Sequence, residues 1–179
     1  TNWWLAVRHA AANTPNWDIV SQATIDGREG LILVEAKAHD QELIKAKGGK
    51  SLDENASENS QSNHAQIGAC IQQASKALSS ATGLPWSLSQ DTHYQMSNRF
   101  AWAWKLTTME IPVVLVYLGF LNATEMGDQG LPLTSHERWN ELVEAQSRDL
   151  FPSSVWGKTW KIENAGLIPL IRSATQSLV

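Results

Sequence analysis

Two short segments of the chain are apolar at nearly every position, at residues 31–34 and 113–120. Runs of this length, rich in β-branched residues, are typical of strands covered on both faces of a sheet. A helical segment between two such strands indicates a crossover, and therefore a parallel strand pair. We expect one α/β domain over residues 1–179, with a mixed central β-sheet flanked by helices. Apolar spacing predicts helices over 1–12, 62–81, 91–108 and 135–148, a final helix within 168–178, and a short edge strand at 155–160.

The segment before the first apolar run predicts a β-hairpin with its turn at residues 26–29. If residues 26 and 29 flank a two-residue loop, Asp18 lies opposite Lys37, and Glu35 is one diagonal step away. Since side chains alternate along a strand, Asp18, Glu35 and Lys37 are expected on one face of the sheet. A slip of one residue would move Asp18 to the other face.

This cluster carries a specific chemistry. The carboxylates of Asp18 and Glu35, with the backbone carbonyl of Ala36, form an all-oxygen site that suits Mg²⁺ or Mn²⁺. A lysine beside the metal, here Lys37, can position or activate a water or stabilise charge on a phosphate. These are the parts needed for phosphodiester hydrolysis. The simpler alternative is a surface hairpin on which Glu35 and Lys37 form an exposed ion pair.

An aspartate, a hairpin and Glu-x-Lys at the end of an apolar strand resemble the PD-(D/E)XK nuclease superfamily, the restriction-endonuclease-like fold. The resemblance implies a sheet built in the order α-β-β-β-α-β, Asp18 and Glu35 as metal-binding acids, and Lys37 as the catalytic lysine. It also implies a DNA substrate. Trp17 stands where many members have proline, no acid precedes Asp18, and one strand of the scheme is unidentified.

Other polar residues are candidates for binding substrate or supporting the site. His39 lies two positions after Lys37 and shares its face if the strand continues. Gln66 lies on the polar side of the helix predicted over 62–81. In the next helix, Gln95, Asn98 and Arg99 share a face, within a Tyr-Gln-x-x-Asn-Arg run that also resembles bacterial restriction-endonuclease-like proteins of unassigned role. Helix capping and a buried hydrogen-bond network are the alternatives. Arg8 and His9, on the first predicted helix, are candidate phosphate contacts.

Composition bears on the binding partners and on the cellular compartment. The formal net charge is −4 and the pI about 5.7, which is not the basic balance of an avid nucleic-acid binder. Cys70 is the only cysteine, which excludes an internal disulfide and favours a reducing, cytoplasmic setting. No apolar run is long enough for a membrane span. Residues 45–63 predict a flexible polar loop that contains Lys45, Lys47 and Lys50.

Two function classes remain open. One is a metal-dependent DNA nuclease, and the other is a non-catalytic nucleic-acid-binding or protein-interaction module on the same fold. The chain has neither a Gly-rich phosphate loop nor a His-x-x-x-His pair. A homodimer, a partner protein and a further region upstream of Thr1 also remain open.

Overall fold

The computed structural model describes residues 2–8, 14–126 and 129–175. Across these ranges the strands are β1 (Ile19–Ile25), β2 (Arg28–Lys37), β3 (Val113–Leu121), β4 (Trp160–Ile162) and β5 (Ala165–Thr175). They form one sheet in the spatial order β1-β2-β3-β5-β4. The three central strands, β2, β3 and β5, run parallel, while β1 and β4 are antiparallel edge strands. The predicted α/β class and the mixed central sheet are confirmed.

The described helices are α1 (Asp40–Lys45), α2 (Glu58–Thr82), α3 (Tyr94–Thr107) and α4 (His136–Ser147), with 3-10 turns at Thr124–Met126 and Ser153–Val155. Local signals set several of their ends. The hydroxyl of Ser57 accepts a hydrogen bond from the Ser60 N–H at the start of α2, and Gly83 ends that helix at φ 68°. Ser135 caps α4 through the Arg138 N–H. The helices predicted over 62–81, 91–108 and 135–148 are therefore confirmed, with shifted bounds, as α2, α3 and α4. None of the described helices is both long and apolar enough to cross a membrane.

The two apolar runs lie side by side, because β2 and β3 pair in parallel with Leu33 beside Leu115. The coverage of β3 differs between its faces. Val113, Leu115 and Tyr117 are almost fully buried, whereas Val114 and Val116 are only half-buried. The prediction of a strand fully covered on both faces therefore holds for one face. That face packs against α3 and α4, and their core side chains include Phe100 and Trp139.

The turn of the hairpin differs from the prediction. Its two-residue loop is Asp26-Gly27, with φ of 51° and 77°, as a type I′ turn requires. Ile25 therefore pairs with Arg28, and the register is shifted by two residues. Asp18 lies in a bend just before β1, where its backbone N–H donates to the Val34 carbonyl, so it does not pair with Lys37. A shift by two residues leaves the alternation of side chains along the two strands unchanged.

The first predicted helix is wrong where the structure describes it. Residues 2–8 form turns and bends, and the rest of that prediction, with His9, lies outside the described residues. The backbone of this segment is hydrogen-bonded to side chains of α2. The amide of Asn63 bonds both the N–H and the carbonyl of Val7 at 2.8 Å, and the Trp3 carbonyl accepts from Gln66.

The predicted final helix is also wrong. Residues 165–175 form the central strand β5, with Ala165, Leu167 and Ile171 buried at strand spacing. Its ladder with β3 satisfies the backbone that a helix would have paired locally. Residues 176–178 of that prediction lie outside the described residues. The edge strand exists as β4 but begins at Trp160, after a 3-10 turn.

We expect Gly119→Ala to destabilise the protein by about 1–3 kcal/mol, because a Cβ there would lie 2.7 Å from the indole of Trp139. That indole is fully buried and donates to the Tyr117 carbonyl, so it has little room to move. Gly48→Ala is the control, since its Cβ would meet only the Lys45 carbonyl, at 3.5 Å. Urea denaturation measures both, and equal stability of the two variants would contradict the packing at Gly119.

We also expect the stability to fall as the pH drops below about 6.5. His93 is buried, neither ring nitrogen has a hydrogen-bond partner among the described residues, and burial lowers its pKa despite the Asp149 carboxylate. The folded state thus keeps the imidazole neutral, while the unfolded chain takes up a proton. The stability that neutral His93 contributes is complete above the pKa of histidine in the unfolded chain. It is lost as the pH falls through that pKa towards the lower pKa of His93 in the folded state. Asparagine tolerates the φ of 51° at this position, so His93→Asn is a suitable variant. In thermal melts its melting temperature should fall less than that of the native protein as the pH is lowered. Identical pH profiles would contradict the assignment to His93.

Candidate functional site

Glu35 lies near the carboxyl end of β2, and its side chain is only 2% exposed. One carboxylate oxygen, Oε1, is 2.5 Å from the ammonium of Lys37, and the other, Oε2, is 2.6 Å from Nε of Arg99. We call Glu35, Lys37 and Arg99 the ion triad. The surface-hairpin alternative is therefore wrong, because the Glu35–Lys37 pair is buried and each carboxylate oxygen is neutralised by its own cation.

Arg99 comes from α3 and is 6% exposed. Its guanidinium also donates to the side chain of Asn98 and to the Asn16 carbonyl, at 2.8 and 2.7 Å. The guanidinium carbon lies 4.8 Å from the centre of the Trp17 ring, within cation–π distance. The structure thus places Asn98 and Arg99 beside Glu35. Arg99 is held as a partner of Glu35, however, which the sequence did not indicate.

Tyr117 is a site residue that sequence reasoning missed. It pairs with Glu35 across the β2–β3 ladder and is 2% exposed. Its hydroxyl has no hydrogen-bond partner among the described residues. Burial, and next the Glu35 carboxylate, raise the pKa of this phenol well above 10, so Tyr117 stays neutral. The available signal was that a single phenol interrupts an otherwise apolar strand.

Asp18 is exposed and precedes β1. Its Oδ2 accepts a hydrogen bond of 2.7 Å from the backbone N–H of Ala36, which fastens it beside Glu35. These two carboxylates fit the oxygen preference of Mg²⁺. In this state both oxygens of Glu35 are paired, so a cation would have to replace one partner. Among the described residues, no group of three or more His, Cys, Asp or Glu side chains is placed to hold a metal.

A cleft of about 430 Å³ lies beside the ion triad. Lys37 is the triad member that lines it, and Gln95 lines it from the first turn of α3. The rest of the lining comes from α1, the loop after it and Tyr94. Lys37 therefore belongs to a buried ion cluster and to an open cavity at once.

Comparison with protein-family models, curated proteins and solved structures found no match. The function has to be inferred from the residues themselves.

Two supporting candidates lie elsewhere. The strand ends at Lys37, so the premise that placed His39 on the same face is wrong. His39 instead precedes α1, where its ring is buried and its backbone N–H donates to the Glu42 carboxylate. Gln66 donates to the Trp3 carbonyl and to Cys70, which places it against the N-terminal segment.

We expect Arg99→Met to destabilise the protein by about 3–5 kcal/mol, because it leaves the buried Glu35 carboxylate with one cation instead of two. The control is Arg138→Met. Arg138 forms an exposed pair with Glu141 at 3.3 Å, and its loss should cost less than about 1 kcal/mol. Chemical denaturation of both variants tests the triad, and similar small losses would show that Arg99 does not neutralise Glu35.

Proposed function

We propose that this protein is a metal-dependent nuclease that hydrolyses phosphodiester bonds in DNA, on a restriction-endonuclease-like fold. The observation that carries the proposal is the juxtaposition of Asp18 with the Glu35–Lys37 pair where β2 ends, beside a cleft that Lys37 lines. Ligand sites of open α/β sheets lie at the carboxyl ends of the parallel strands, as this cleft does.

The order of elements supports the fold. A hairpin, three helices and the parallel strand β3 follow one another, as a hairpin, a helical crossover and a strand do in the later part of the α-β-β-β-α-β scheme. The sheet is then extended by β5 and β4. The first helix and first strand of the scheme have no counterpart among the described residues.

Asp18, Glu35 and the carbonyl of Ala36 would hold Mg²⁺ or Mn²⁺, which when bound polarises the phosphoryl oxygen and acidifies a bound water. Of the two cations on Glu35, Arg99 is tied by two further hydrogen bonds and by Trp17. Lys37 is therefore the partner that Glu35 releases more readily. Its ammonium can then orient the attacking water or stabilise charge on the phosphate.

A second candidate function is favoured by one observation. Since both oxygens of Glu35 are already neutralised, the triad could serve only to join β2 to α3 in a non-catalytic module for binding nucleic acid or protein. The two candidates differ in whether Asp18, which has no cation partner among the described residues, is needed for activity.

We expect supercoiled plasmid to be cut in Mg²⁺ or Mn²⁺ and not in EDTA. Asp18→Asn and Lys37→Ala should each slow cleavage by at least about 100-fold, because they remove a metal ligand and a charge at the phosphate. Asp26→Asn is the matched control, since it makes the same change at the turn of the same hairpin. It should cut like the native protein.

The proposal fails if no plasmid is cut, or if Asp18→Asn and Lys37→Ala cut as fast as Asp26→Asn. Calorimetric titration with Mn²⁺ tests the ligands separately. Metal binding that survives the loss of both Asp18 and Glu35 carboxylates would show that these residues are not the ligands.

A further inference from the structure

Four residues of the segment 45–50, Lys-Ala-Lys-Gly-Gly-Lys, line the cleft, namely Lys45, Ala46, Gly48 and Gly49, and we call this segment the lysine loop. Its backbone is fixed to the start of α3. The N–H of Lys50 donates to Gln90, and the carbonyls of Lys47 and Gly48 accept from His93 and Tyr94, all within 3.1 Å. These hydrogen bonds join the loop backbone to the segment that leads into α3.

Two further contacts fix its path. A Cβ at Gly49 would overlap the backbone carbonyl of Asp91, so only glycine lets the loop lie this close to residue 91. On the other side, a ring nitrogen of His64 in α2 lies 2.8 Å from the Lys50 carbonyl. Because two helices hold the loop, the backbone positions of its lysines are set by the fold.

The lining of the cleft holds two lysines and one acid, although the chain as a whole carries a charge of −4. Lys37 and Lys45 line it, and the ammonium of Lys50 lies 5.3 Å from the centre of the Tyr94 ring, which also lines it. The acid in the lining is Glu42. Its Oε2 accepts hydrogen bonds from two backbone N–H groups, those of Ala38 and His39, so part of its charge is compensated.

We propose that this cleft binds a backbone phosphate of a nucleic-acid strand, with Lys45 and Lys50 as the charged contacts and Gln95 as a neutral donor. Cationic side chains on a loop whose backbone is held in place suit a phosphate. The inference rests on the proposed nuclease function, because a strand held here would present its next phosphodiester to Lys37. A free nucleotide offers the same phosphate chemistry, and the experiment separates the two sources.

The test measures binding without catalysis. Fluorescence anisotropy follows a labelled single-stranded DNA of about 20 nucleotides in EDTA, over a range of salt concentrations. Native protein is compared with Lys45→Gln/Lys50→Gln. The matched control is Lys158→Gln/Lys161→Gln, which removes two exposed lysines at the opposite edge of the sheet. Lys158 lies over the Trp160 ring much as Lys50 lies over Tyr94.

We expect the lysine-loop variant to bind on the order of tenfold more weakly, with the slope of log affinity against log salt reduced by about 0.7 for each lysine that contacts a phosphate. The control should match the native protein. Equal affinity and slope in all three proteins would overturn the proposal. So would lysine-dependent binding of thymidine monophosphate, measured by calorimetry, with no binding of the strand.

The two proposals fail separately. Lysine-dependent binding in EDTA without any plasmid cleavage would retain the phosphate site and remove the nuclease. Plasmid cleavage that depends on Asp18, with DNA binding unaffected by Lys45→Gln/Lys50→Gln, would retain the nuclease and remove the phosphate site.

Discussion

The buried carboxylate of Glu35 is the constraint on which the rest of this structure depends. A carboxylate that is 2% exposed must be neutralised, and one of its two cations, Arg99, comes from a helix 64 residues away. The helix α3 therefore has to place its first turns over the end of β2. The lysine loop, bonded to residues 90, 93 and 94, is carried to the same place. One buried charge thus accounts for the meeting of hairpin, helix and loop.

A buried ion triad is a costly way to join a helix to a strand. Apolar side chains of similar size often serve stability equally well or better, because they need no compensation for lost hydration. The free-energy cost of burying these charges is easier to understand at a functional site, where the charges take part in chemistry. Polar groups that interrupt an apolar pattern are concentrated at functional sites. The neutral phenol of Tyr117 beside Glu35 is a second buried polar group of this kind, since its hydroxyl has no hydrogen-bond partner among the described residues.

The parts of the fold that sequence predicted are those with local signals. The turn, the two apolar runs and the capped helices can each be predicted from a few neighbouring residues. The register was wrong by two residues, yet Asp18 still lies next to Glu35 in the structure, because its carboxylate accepts a hydrogen bond from the Ala36 N–H. β5 was mistaken for a helix because its identity depends on pairing with β3, about 50 residues earlier in the chain. The Arg99–Glu35 ion pair was not predicted for the same reason, since no local sequence pattern links residues that far apart.

Formal net charge does not describe the electrostatics of a single cleft. At physiological salt, charges are screened beyond about 8 Å, so a phosphate in the cleft responds to the side chains around it and not to the formal charge of −4. Those side chains include Lys45 and Lys50, fixed by backbone contacts, and Lys37, paired with Glu35. Lys37 is the residue common to both features. A ligand that contacts Lys37 in the cleft would compete with Glu35 for the same ammonium, so the residue that neutralises the buried acid also couples it to the cleft.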